Sequence, residues 1–504
     1  MDCHKATFTG NIFTMKTPEI NFFSRRNFLK SLVAIGAVYE LSPSITTCAG
    51  TVEERIKLNG PGTNYVPVIN AAFVRRKGDY GILWPGAIYD GKKALENYTA
   101  DIQNAAKELG IKINLRKEPI FSLAEAEEWI ETSKREKVDG LLVVLLDRQQ
   151  HAWPTAGKAA DSGIPSVIFS PIGTSFTTNT EPVAVKEGVY ISSSMDFSEA
   201  KSALKMIKAG AKLREMRFIV IRGAKRYDTE LPHFGTKLRV IPAADFIEEY
   251  NRTADSRELL AIAGEYMRKA RKIHDATKQD IINGIKSYTV AKNILKREEG
   301  DGITMDCLGA LGNTKISLPC IAWSKMNDVG IPAACEADLG ACVTHAIVQY
   351  LFDRPGFQQD PVPETIRDCL IGAHCSCPTR LSGFDKKPEP FDIMHHHGNR
   401  DAVSRTYWKK GQRITIADVI LPPNQPQAKT TEQKYPLMYI STGTVVDNVL
   451  VPPAGGCVVS VMVKLDTKPD LLKYPGFHQI FFYGDFKKEL IGFCKLFRIN
   501  PLVV

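Results

Sequence analysis

The spacing of apolar and polar residues divides the chain into segments with different periods. Residues 51–75 show no sustained pattern and read as an irregular lead-in. An alternation then begins. Residues 80–84 are strand-like and residues 85–91 form a loop. Ala94, Leu95, Tyr98, Ile102, Ala105, Ala106 and Leu109 share one face of a helix that Gly110 ends. Residues 111–115 read as a strand, and Ser122 with Glu125 has the spacing of a capping box ahead of a helix through Trp129. The run 140–146 is apolar almost throughout, as a strand buried on both faces should be, and 164–169 repeats it. Strands that alternate with helices in this way predict βαβ units and a parallel sheet.

A helix near 197–212 leads to a strand at 217–221, where a second α/β segment begins. That segment holds a long polar helical stretch, roughly 256–297. It then holds two short apolar runs, 303–305 and 331–335, that end at the acids Asp306 and Glu336. Leu339, Val343, Ile347 and Leu351 recur at helical spacing. After Pro378 the period changes to two: 413–421 alternates, and 437–441, 457–465 and 479–483 follow between turns rich in Pro and Gly. A short helix up to Phe497 closes the chain. The predicted architecture is two parallel-sheet α/β domains, 76–196 and 197–378, followed by a β-rich C-terminal domain, 379–504.

Composition changes this picture little. At 504 residues, with 44% hydrophobic and 24% charged residues, the chain is that of an ordinary folded protein. The formal charge of +9 comes from scattered Lys and Arg, so it reads as a solvated surface and excludes a nucleic-acid footprint. The loop WPGAIYDG lacks GxGxxG, which leaves a dinucleotide site unsupported.

The N-terminus carries an address. Ser24-Arg25-Arg26-Asn27-Phe28-Leu29-Lys30 precedes a mild apolar stretch at 32–39, the pattern of a twin-arginine export signal within residues 1–50. Met15 as the start would give that signal a more usual length, and Cys48 is a weak candidate for lipidation. The expected location is periplasmic or extracellular, with the membrane met only through the export pathway. Nine cysteines follow the signal, mostly in apolar runs where Cys behaves as a small hydrophobe; Cys369, Cys375 and Cys377 form a possible metal or disulfide group.

The candidate chemistry lies between residues 302 and 378. Glu336, Asp360 and His374 all fall where strands run out, the edge at which α/β sheets bind ligands. Carboxylates and a neutral imidazole are ligand types for a divalent metal. Each also has a plainer reading: Glu336 as an acid favoured at the start of a helix, Asp360 as a turn residue before Pro361, His374 as a buried histidine bonded to a carbonyl. Asp338 reads as a first-turn helix residue and His345 as a packing or surface residue. One of His395, His396 and His397 could reach a cleft, Arg400 and Arg405 could touch sugar hydroxyls, and Asp147 and Arg222 end apolar runs.

These residues lie in motifs that resemble the L-fucose isomerase and L-arabinose isomerase superfamily: GITMDCLGAL, PCIAWSKMNDVGIPAACEADLGACVTHAIVQYLF, Asp360, IGAHCSCP and GFHQIFFYGD. The resemblance spans about residues 76–504, with the first domain similar in layout alone. It implies a metal-dependent aldose–ketose isomerase acting through an enediol. Glu336 and Asp360 would bind Mn²⁺ (or another divalent metal) and act as the acid/base pair. His478 would complete the ligand set, with His374 as a further ligand. The implied substrate is a small sugar and the implied state a homo-oligomer. Two other readings use the same scaffold: an exported glycan-processing hydrolase or lyase, and a non-catalytic sugar-binding protein.

Overall fold

The fold is built on three sheets, which the computed structural model describes over residues 58–504 apart from 79–80, 83–88, 397–399, 423–434 and 450–457. The twin-arginine segment, Met15, Cys48, His397 and Cys457 lie outside the described residues. No helix among the described residues is long and apolar enough to cross a membrane.

The first sheet is wholly parallel. Its order is Lys112–Leu115, Val68–Val74, Gly140–Leu145, Ser166–Ser170, Val189–Ser193. The strand Val68–Val74 corrects the expectation of an irregular lead-in before residue 76. Pro67 and Asn70 interrupt the apolar run, but Asn70 is buried and its amide donates to Ser133 Oγ at 2.9 Å and Glu136 Oε2 at 2.8 Å. A satisfied polar group of this kind is compatible with a central strand. Of the strand expected at 80–84, Gly81–Ile82 pairs antiparallel with Tyr89–Asp90. The helix Gly91–Leu109 starts at Asp90, whose carboxylate accepts from the Lys92 and Lys93 amides, and stops at Gly110 in the left-handed region. Ser122 caps the helix Leu123–Glu136 as expected, while Glu125 reaches back to the Phe121 amide.

The second sheet has the order Ala333–Cys335, Gly302–Met305, Arg217–Ile221, Lys237–Ile241, Tyr227–Glu230. It is parallel except for Tyr227–Glu230, an exposed antiparallel edge. The polar stretch 256–297 resolves into two helices, Arg257–Lys269 and Lys278–Arg297.

The third sheet closes into an antiparallel barrel. Around the ring run Arg413–Ile420, Gln479–Tyr483, Phe357–Glu364, Cys369–His374, Val459–Leu465 and Leu437–Asn448, and the last pairs back to the first. Asn500–Val503 adds to Leu437–Asn448 in parallel. This corrects the boundary at residue 378: the strands Phe357–Glu364 and Cys369–His374 pair into the barrel, not with the second sheet. Their apolar runs are short and polar at one end, so their partners could not be read locally.

One core runs through all three sheets. It takes Val144 and Phe169 from the first, Val220 and Val240 from the second, and Val419, Ile440 and Phe482 from the barrel. Ile219, Ile221, Ile303 and Met305 point to a separate core, as the two-residue period of a strand requires. The helix Leu339–Phe352 lies directly on the barrel. A Cβ at Gly340 would come 2.2 Å from the Val419 carbonyl oxygen, and Thr344 Oγ1 accepts from the Val419 amide at 2.9 Å.

His345 sits in that helix, 1% exposed, and neither ring nitrogen has a hydrogen-bond partner. Burial pushes its pKa down to about 3, against a smaller upward pull from Asp338. The unfolded chain takes up this proton near pH 6.5 and the folded chain does not. The contribution is therefore intact above pH 6.5 and is lost as the pH falls towards 3. Between pH 6.5 and 5 the loss should be about 2 kcal/mol. Urea midpoints at pH 7 and pH 5 should separate in the wild-type chain and draw together in His345→Gln. An equal separation in both would remove His345 as the cause.

Candidate metal centre

Glu336 follows the last residue of the strand Ala333–Cys335, where the chain leaves the second sheet. Glu336 and Ala337 both have left-handed φ, 60° and 55°. Side chains disfavour that region, and strain of this kind gathers at functional sites. The turn is held by Ala337 N–H to the Met305 carbonyl at 2.9 Å and Asp338 N–H to the Cys335 carbonyl at 3.2 Å. Asp338 then caps the helix Leu339–Phe352, its Oδ1 accepting from the Ala341 amide at 2.8 Å. Glu336 therefore precedes the helix cap and does not begin the helix.

The other candidate residues come from one end of the barrel. In the pairing of Phe357–Glu364 with Cys369–His374, Asp360 stands opposite Ala373, next to His374. His478 directly precedes Gln479, which stands opposite Gln359. Gln358 joins barrel to sheet, its Oε1 accepting from the Cys335 amide at 2.8 Å. Glu336 and the barrel residues are thus brought face to face.

His478 is the hub. Its Nδ1 lies 2.9 Å from Asp338 Oδ2, while Nε2 lies 3.4 Å from Asp360 Oδ1 and 3.6 Å from Glu336 Oε2. His374 Nε2 lies 3.9 Å from Glu336 Oε1, and the two imidazoles meet edge to face with centroids 5.6 Å apart. Burial alone would lower the His478 pKa. The Asp338 bond and the charges of Asp338, Asp360 and Glu336 outweigh burial and raise it. Burial pushes the Asp360 carboxyl up to about 6, with His478 opposing and Glu336 adding to the shift. Asp360 Oδ1 and His478 Nε2 are both buried without a hydrogen-bond partner.

These residues fit a divalent cation. One ligand atom each from Glu336, His374 and His478 lies within 4.8 Å of the others. Two ligands about 2.1 Å from one ion, about 90–109° apart, lie roughly 3.0–3.4 Å from each other. The observed separations of 3.4 to 3.9 Å need only a small contraction. Asp360 Oδ1 and His478 Nε2 face each other at 3.4 Å without a hydrogen bond, and a cation would take a ligand atom from each. The Asp338 contact would then supply the carboxylate that orients His478 as a ligand.

Glu336 and His478 line a cleft of about 1050 Å³, together with Arg222, Asp338, Asp418 and Phe477 among others. Asp418 is buried there, and burial, with Asp338 adding, holds its carboxyl well above the usual range. Local pattern marks Asp338 as a helix residue only and does not single out Asp418. The two-residue spacing from Glu336 was a usable signal for the first. A lone acid inside the alternating run 413–421 was a usable signal for the second.

The remaining candidates lie elsewhere. His395 Nε2 pairs with Asp280 at 3.1 Å, and His396 packs by Cys320 and Cys375, so neither joins Glu336. Arg400 donates to the carbonyls of Gly312, Thr314 and Ile316, and Arg405 to that of Val449. Asp147 pairs with Arg76 at 2.8 Å. Cys369 and Cys377 donate to the carbonyls of Arg367 and Pro378, so the group with Cys375 does not assemble.

Fold and site together define a mixed α/β chain with a C-terminal antiparallel barrel and a carboxylate–imidazole group between sheet and barrel. No family model and no curated protein matches the chain. Among solved structures, the chain is similar to a sugar-binding protein of a sugar ABC transporter from Bacillus halodurans, at 15% identity and a TM-score of 0.17, over 60% of this chain and 91% of that one. That likeness is too weak to bear on fold or function.

Proposed function

We propose that the chain is a metal-dependent sugar isomerase that works through an enediol, with a fucose isomerase-like fold. The observation that carries this reading is the convergence of Glu336, Asp360, His374 and His478 beside a cleft of about 1050 Å³, with a carboxylate oxygen and an imidazole nitrogen that are buried, 3.4 Å apart and not hydrogen-bonded. Glu336, Asp360 and His478 would hold Mn²⁺ or another divalent ion, with His374 beside them. Such an ion, when bound, supplies charge that stabilises an enediolate and a fixed point for two adjacent substrate oxygens.

The protein's own groups divide the proton transfers. Glu336 is a third exposed and faces the cleft, so it takes the proton from C2 and returns it to C1. Asp360, its carboxyl raised to about 6, is still mostly ionised at neutral pH, so it accepts the proton of one sugar oxygen and returns it to the other. Asp338 keeps His478 in one tautomer. In this proposal the chain acts on a small sugar outside the cytoplasm, as a homo-oligomer.

Proton exchange tests it. The chain loaded with Mn²⁺ is incubated with a panel of aldoses and ketoses in D₂O and followed by NMR. Deuterium should enter at C1 or C2 of one sugar, stop after treatment with EDTA, and resume when Mn²⁺ is restored. Metal-loaded chain that exchanges no sugar would reject enediol chemistry and turn the search to glycosides.

A further inference from the structure

A second group of metal-ligating side chains lies outside the site described. Cys320, Cys375 and His396 are buried, and one ligand atom from each lies within 4.8 Å of the other two. The two sulfurs are 3.5 Å apart. Two thiolates on a tetrahedral ion at about 2.3 Å would stand about 3.7 Å apart. We propose that Cys320, Cys375 and His396 form a second metal site, selective for a thiophilic divalent ion of the zinc class.

The ligands come from separate parts of the chain. Cys320 opens the helix Cys320–Asp328, Cys375 follows the barrel strand Cys369–His374, and His396 follows the strand Phe391–His395. The backbone behind them is tied together by hydrogen bonds within the protein. The His396 amide donates to the Arg400 and Asp401 carbonyls, both at 3.1 Å. Arg400 in turn donates to the carbonyls of Gly312, Thr314 and Ile316, in the segment that leads into Cys320. Arg400 therefore links the His396 backbone to the segment that presents Cys320. Two soft sulfurs and an imidazole select zinc-class ions, whereas the oxygen-rich Glu336 group suits a harder cation. On binding, both thiols release their protons to solvent and the metal–sulfur bonds replace them. The ion would pin the helix Cys320–Asp328, the barrel and the strand Phe391–His395 at one point, next to His374 in sequence. This site does not depend on the isomerase reading, because none of its three ligands belongs to the Glu336 group.

The test uses the full chain, kept reduced and loaded with Co²⁺ alone. Thiolate-bound cobalt gives a charge-transfer absorption in the near ultraviolet, which carboxylate and imidazole ligands do not produce. The wild-type chain should show that band. Cys320→Ser and His396→Asn should each lose the band together with about one equivalent of metal. Glu336→Gln should keep the band and lose only cobalt without sulfur ligands, so failure of one site is distinguishable from failure of the other. A reduced wild-type chain that binds cobalt with no thiolate band overturns the proposal. So does mass spectrometry that finds Cys320 and Cys375 joined as a disulfide in native chain without metal. Should a variant fail to fold, alkylation of the wild-type chain decides: Zn²⁺ should protect Cys320 and Cys375, and unchanged labelling rejects the site.

Discussion

Glu336→Gln should yield a folded chain that has lost both its Mn²⁺ and its exchange activity. The side chain is about a third exposed, and it faces His374 and His478 at 3.9 and 3.6 Å. Removing its charge relieves repulsion with Asp360 and weakens attraction to His478, so stability should move by no more than about 1 kcal/mol. Function should respond very differently. The amide is a poor ligand for a divalent ion and cannot take a proton from carbon. Loss of a general base alone lowers rates by about 10²–10⁴-fold, and loss of the ion adds to that. Metal content after dialysis, the rate of deuterium entry and a thermal melt form one experiment. Unchanged metal content and exchange would remove Glu336 from the site.

Gly340→Ala should damage fold and site together. The added methyl would meet the Val419 carbonyl oxygen at 2.2 Å, a backbone atom in a paired barrel strand that cannot swing away. The helix start must retreat from the barrel. Overpacking of this kind costs about 1–3 kcal/mol or more. The retreat carries Asp338 away from His478, whose 2.9 Å contact spans the same gap. Metal affinity should fall by about 10–100-fold, as when the partner of a ligating histidine is lost. Gly264→Ala is the control, since nothing lies within 4 Å of a Cβ there. It should be neutral or stabilising by up to about 1 kcal/mol. Equal stability and metal affinity in the two variants would show that the close approach at Gly340 does not matter.

Local pattern carried the first half of the fold well. The helix Gly91–Leu109 and the strand Gly140–Leu145 announce themselves through helical spacing, a cap and an unbroken apolar run. Val68–Val74 is hidden because a buried asparagine breaks its run, and only the partners of Asn70 explain it. The barrel boundary is hidden for another reason. Phe357–Glu364 pairs with Gln479–Tyr483, more than a hundred residues away, and strand pairing at that distance leaves no local mark. Among the site residues, Glu336, Asp360, His374 and His478 were legible through motif context, and the fold brings them together. Asp338 was read as a helix residue. It is one, through Oδ1, but its second oxygen holds His478. A single side chain with two duties shows only the local one in the sequence.

The closing strand of the barrel also sets an order in time. His478 immediately precedes Gln479–Tyr483, which fills the gap between Arg413–Ile420 and Phe357–Glu364. During synthesis Glu336, Asp360 and His374 leave the ribosome well before it. The proposed ligand set is therefore incomplete until residue 478 has emerged, and a cation captured earlier would lack its central imidazole. Under the proposed metal binding, tight capture would wait for ring closure, and a bound ion would report that the barrel has been completed.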